Sequence, residues 1–146
     1  MTIRDDQLIF LIGIAGSGWS KMDAMLRNCS YFKFNMSDYS SDRYDAVNTL
    51  DNGYYTEHTG HFLGPGTGYG EGFDNIPQNY QNKEEFKKEA LRVYTDLNAE
   101  DNYIIKCHWF CEQHNLNWLK KEFPNNKIIF TVWNRKIGKA SCRERV

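Results

Sequence analysis

Two short stretches of the chain hold residue types and spacings that suit chemistry. The first is Gly13-Ile14-Ala15-Gly16-Ser17-Gly18-Trp19-Ser20. Glycines let a backbone turn tightly enough for successive N–H groups to converge, and converging N–H groups bind an anion. A helix starting directly afterwards adds the partial positive charge of its N-terminus. The stretch reads as a phosphate cradle, lined by Gly13, Ala15, Gly16, Ser17, Gly18, Trp19 and Ser20. Its spacing, Gly13-x4-Gly18-x-Ser20, departs from the nucleotide-triphosphatase loop where Trp19 replaces the lysine that reaches the terminal phosphates. That replacement argues against ordinary ATP or GTP hydrolysis. The plainer alternative is a glycine turn that merely joins a strand to a helix.

The second stretch is Lys106-Cys107-His108. It ends an apolar run, and ligands of open α/β sheets bind beyond the carboxyl ends of their strands. In an extended strand residues 106 and 108 share one side, so both would face one site. Histidine serves as a general base near neutral pH. A buried histidine that caps a strand is the plain alternative. Cys107, His108, Cys111 and His114 are metal-ligating types, but their spacing is not that of a zinc module. No metal is expected there, and Cys111 suits a small residue at a helix start.

The elements that must position these residues follow from the pattern of apolar side chains. Leu8-Ile9-Phe10-Leu11-Ile12 is continuously apolar, as in a strand buried on both faces of a parallel sheet. Ser20 to Arg27 predicts a helix with Met22, Met25 and Leu26 inward. Residues 28–82 are polar and weakly periodic, and within them residues 61–73, with glycine at every second position from 64 to 72, predict a loop. His58 and His61 stand beside it, and the glycines could form a lid. Asn82 with Glu85 predicts a helix start. Phe86, Ala90, Val93, Tyr94 and Leu97 would face inward on a helix running to about Asn98. Tyr103 to Cys107 predicts a second strand, Glu112 to Phe123 a helix with Leu116, Leu119 and Phe123 inward, and Lys127 to Trp133 a third strand. Strands alternating with helices predict an α/β fold with a mainly parallel sheet.

Composition excludes several classes. Of the 146 residues, 15% are aromatic, enough burial capacity to argue against a disordered chain. Eighteen basic against nineteen acidic residues leave no basic excess for nucleic acid. The apolar run from Leu8 to Gly16 is too short to span a bilayer. Four cysteines without disulfide-framework density, and no apolar leader, point to a reducing cytoplasm.

Taken together, the strand, the glycine loop ending in Trp19-Ser20, the later strand ending in Lys106-Cys107-His108 and the strand opening Pro124-Asn125-Asn126-Lys127-Ile128-Ile129 resemble a sulfotransferase. That family uses 3′-phosphoadenosine-5′-phosphosulfate as donor. Gly16-Ser17-Gly18-Trp19 falls on its Gly-Thr-Thr-Trp, and Lys106-Cys107-His108 on its Lys-Thr-His. Residues 8–135 look closest to short sulfotransferase-like proteins of marine phages, which share Asp38-Tyr39-Ser40 and the Lys106 to Cys111 segment. The resemblance implies a three-layer P-loop-type fold. It implies His108 as base, Lys106 as charge-balancing catalytic residue and a small-molecule or glycan acceptor hydroxyl. Ile14 falls at the family's loop lysine, so Lys21 or Lys106 would supply that charge. The family's 3′-phosphate arginine falls at Trp133, and Arg135 is the residue expected to take its role. A nucleotide kinase or NTPase, or a nucleotide-binding protein without catalysis, are the competing readings.

The last ten residues, Ile137 to Val146, resemble the translation of a short-read sequencing adapter, with Lys139 in place of arginine. They are expected to be a non-native tail, and residues 1–136 the N-terminal part of a sulfotransferase-like domain truncated at its C-terminus. Without them the charge falls to −3, from 15 basic and 18 acidic residues. Such a fragment is expected to be inactive.

Overall fold

A computed structural model of the chain describes residues 2–13, 19–34, 72–94 and 96–131. Their centre is a three-stranded sheet. β1 (Leu8–Ile12) lies between β2 (Tyr103–Lys106) and β3 (Lys127–Phe130). Both pairings are parallel: Leu8 stands opposite Tyr103 and Leu11 opposite Lys106, while Ile9 stands opposite Lys127 and Ile12 opposite Phe130. Parallel neighbours need crossovers, and helices provide them. The elements are α1 (Trp19–Arg27), α2 (Ile76–Asn79), α3 (Lys83–Ala90) and α4 (Gln113–Glu122). The expected α/β class is thus observed, and each described pairing in the sheet is parallel.

All five residues of β1 are buried, and alternation divides them between two cores. Leu8, Phe10 and Ile12 face a large cluster with Phe73, Ile76, Phe86, Tyr103, Ile105, Phe110, Leu119 and Phe123. Ile9 and Leu11 face a smaller one with Ile104, Met22, Leu26 and Ile129. α1 therefore covers one face, and α3 and α4 cover the other. The Phe10 ring anchors the larger core, 5.0 Å from Phe123 and edge-on to Phe110 at 5.7 Å.

Local chemistry explains the helix limits. Asn82 caps α3: its side-chain oxygen accepts from the Glu84 and Glu85 N–H groups, both at 3.0 Å. Glu84 and Glu85 in the first turn and Lys87 and Lys88 in the last complement the helix dipole. The helix expected to run to about Asn98 stops at Ala90 and tightens into a 3-10 turn at Leu91–Val93. Two tyrosines explain the stop. The Tyr94 hydroxyl donates to the Ile104 carbonyl at 2.5 Å, and the Tyr103 hydroxyl accepts from the Asn98 N–H at 2.8 Å. These bonds draw the chain down onto β2, and Leu97 is left 36% exposed.

Two further expectations change. Met25, assigned to the inward stripe of α1, is 66% exposed, while Asp23 and Arg27 are buried. Met22, Asp23, Leu26 and Arg27 form one continuous face, and Met25 lies about 130° from its centre. The 3-10 turn Phe73–Asn75 begins at the last residue of the stretch read as loop, and α2 follows it within residues 28–82, whose periodicity is weak. Phe73 and Ile76 seal the large core from there. β3 is described as far as Phe130, and residues 132–146 lie outside the described residues, as do 14–18 and 35–71.

Polar side chains lock the amino edge of the sheet. Gln7 Nε2 donates to the carbonyls of Asn98 and Asp101, each at 2.8 Å. Asn126 Nδ2 donates to Asp5 O at 2.6 Å and Leu8 O at 3.1 Å. The Asp5 carboxylate accepts from Lys83 at 2.6 Å and Lys87 at 3.0 Å, which hold its pKa down although burial pushes it up. Because Phe10 sits at the meeting point of these elements, Phe10→Ala is expected to cost about 3–5 kcal/mol in urea unfolding.

Candidate functional site

Of the residues singled out in the sequence, Gly13, Lys106 and His108 stand at the opposite, carboxyl edge of the sheet. Gly13 leaves β1 there and is buried. The Cys107 N–H donates to Leu11 O at 3.3 Å, and the Thr131 N–H to Ile12 O at 2.9 Å, so all three strands end level. α1 starts at Trp19 and Ser20, following the glycine-rich segment directly. Ala15, Gly16, Ser17 and Gly18 lie outside the described residues, as do Arg135, His58 and His61.

Lys106 is 1% exposed. Its Nζ donates to Asp23 Oδ2 at 3.1 Å, and Arg27 Nε donates to Asp23 Oδ1 at 2.8 Å. Alternation along β2 explains the meeting: Ile104 joins the α1-side core and Lys106 follows it on that face. Helical spacing explains the rest, since residues four apart on α1 are neighbours. One carboxylate thus stands between two buried cations. The Arg27 guanidinium also lies 5.5 Å from the centre of the Phe34 ring. Burial pushes the Lys106 ammonium down to about 8, with Arg27 adding to the effect and Asp23 opposing it. For Arg27, burial is outweighed by Tyr94 and Asp23, which raise its pKa.

His108 is half-buried and opens a 3-10 turn, His108–Cys111. β2 therefore ends before it, and the strand alternation expected to set 106 and 108 side by side stops at Cys107. Cys107 is fully buried on the other face, in the large core. Burial pushes its thiol up to about 12, which makes it a poor nucleophile. Cys111 and His114 are exposed, and the His114 Nε2 lies 2.8 Å from Asp74 O.

Asn115 holds the turn that carries His108. It is fully buried. Its Nδ2 donates to Trp109 O at 2.9 Å, Asp74 O at 3.0 Å and Phe73 O at 3.1 Å. Its Oδ1 accepts from the Ile76 N–H at 2.9 Å. Asp23, Arg27 and Asn115 were not singled out in the sequence. The only signal for the first two was an i,i+4 pair of opposite charges, which more often marks a solvated helix face.

Asp23 serves two cations, so removing it should cost more than removing either one. Asp23→Ala is expected to lose about 3–5 kcal/mol in denaturant unfolding. Lys106→Met should lose less, because Arg27 keeps its partner. A pH dependence also follows. The unfolded lysine keeps its proton to 10.5, the buried one only to about 8, so the unfolded chain binds more protons in between and stability rises with pH. Cys107 acts oppositely above its unfolded value of 9.0. Cys107 is common to both proteins and cancels when they are compared, so wild type should gain stability relative to Lys106→Met between about pH 8 and 10.5, read from urea midpoints.

Among the described residues no group of three or more metal-ligating side chains gathers, and no helix is long and apolar enough to cross a membrane. Comparison with known proteins finds no matching family model, no matching curated relative and no matching solved structure.

Proposed function

We propose that the protein is a sulfotransferase-like enzyme of three-layer P-loop type. It would transfer a sulfuryl group from 3′-phosphoadenosine-5′-phosphosulfate to an acceptor hydroxyl. One observation carries the reading. A buried central strand precedes the glycine-rich stretch and a helix follows it in the sequence, and the adjacent parallel strand ends level with the central one at Lys106, with His108 opening the turn that follows. The likeness of the sequence motifs to the sulfotransferase pattern supplies the donor.

In this reaction the acceptor oxygen attacks sulfur and the bond from sulfur to the phosphate oxygen breaks. The acceptor proton passes to His108 as the new bond between the acceptor oxygen and sulfur forms. Adenosine 3′,5′-bisphosphate leaves with the electron pair. The N–H groups of the glycine-rich segment and the ammonium of Lys106 balance the charge that grows on the leaving phosphate. Positioning and electrostatics supply most of the acceleration, as in phosphoryl transfer. Arg135 holds the 3′-phosphate in this scheme. The acceptor hydroxyl belongs to a small molecule or a glycan in this scheme, in a cytoplasmic setting.

Calorimetric titration tests the reading. The protein should bind adenosine 3′,5′-bisphosphate in preference to ATP. His108→Ala should keep that binding and lose about 100-fold or more in sulfate transfer. Preference for Mg-ATP would replace this reading with a kinase or NTPase. Tight bisphosphate binding with no transfer to any acceptor would leave a nucleotide-binding protein without catalysis.

A further inference from the structure

The reaction scheme leaves Asp23 without a role. Its carboxylate is 1% exposed and spends both oxygens on cations, Oδ2 on Lys106 and Oδ1 on Arg27. Only an ionised carboxylate can accept from two cations in this way, because an amide would turn one of its ends into a donor. Lys106 is also fixed through its backbone. It pairs with Leu11 in the sheet, and the N–H of the next residue donates to Leu11 O. Asp23 thus ties α1 to the end of β2, while β1 and α1 are consecutive along the chain. α1 cannot shift against the sheet without dragging the ammonium or breaking a buried ion pair, and breaking one is costly.

We propose that Asp23 is a positioning residue for Lys106: it holds the buried ammonium at the end of β2 and, through it, sets the affinity of this edge for the leaving bisphosphate. The inference rests on the nucleotide reading above. Asp23 itself touches no ligand in this scheme. Arg27 shares the carboxylate and keeps it from swinging away, and its contact with Phe34 fixes the guanidinium in turn.

The test combines nitrogen-15 spectra of the lysine ammonium groups with titrations of adenosine 3′,5′-bisphosphate. Wild type, D23N, K106M and the double variant are compared. Wild type should show a Lys106 ammonium signal that moves on saturation. D23N should shift or lose that signal and weaken binding about tenfold or more. K106M should weaken binding comparably, and the double variant no further than either single one. D23N binding as tightly as wild type, or losses that simply add, would overturn the proposal, even if D23N is less stable. Should D23N fail to fold, the wild-type spectrum decides: a Lys106 signal unmoved by saturating bisphosphate overturns it. Absence of binding by wild type overturns the nucleotide reading and this inference together, whereas binding indifferent to Asp23 overturns this inference alone.

Discussion

The whole arrangement hangs on β1 being buried along both faces. Five apolar side chains in succession leave no edge or face of that strand for water, so each crossover must bring a helix to one side or the other. Leu8, Phe10 and Ile12 require the aromatic helices α3 and α4, and Ile9 and Leu11 require α1. The neighbours on either side satisfy the backbone groups that burial removes from solvent. Once β1 is placed in this way, its carboxyl end, the start of α1 and the end of β2 have little freedom left.

That constraint also explains how two buried cations are tolerated. Lys106 falls on the α1 face because β2 runs in register with β1, and its charge would be expensive there alone. Asp23 meets the cost from the helix that Ile9 and Leu11 already demand. An ion pair of this kind is a weak source of net stability, since its desolvation offsets its attraction. Its effect is geometric: it fixes where the charge lies.

Patterns set by periodicity were legible in the sequence. The continuous apolar run of β1 and the strands at 103 and 127 could be read directly, as could the parallel α/β arrangement. Features set by tertiary partners were not. Tyr94 and Tyr103 end α3 early through hydrogen bonds to a strand whose position no local pattern encodes. Met25 and Asp23 exchanged places for the same reason, because an apolar rule cannot see a lysine waiting across the core. Of the candidate site, Lys106 and His108 were legible from their place after an apolar run. Asn115 was not, since its partners are backbone carbonyls from segments far apart in sequence.

The clasp at the amino edge has a consequence for how such a chain can change over generations. Gln7 and Asn126 use their amide groups on main-chain carbonyls from two stretches, 98–101 ahead of β2 and 5–8 at the start of β1. A lengthened connection there would leave those amides buried and unmatched, so that end should resist insertion. At the other end, the 3-10 turn after β2 is steadied from below by Asn115, which addresses backbone atoms and not side chains. Side chains beyond it can be exchanged without disturbing that support. The molecule thus divides into an end that conserves shape and an end that is free to diversify its chemistry.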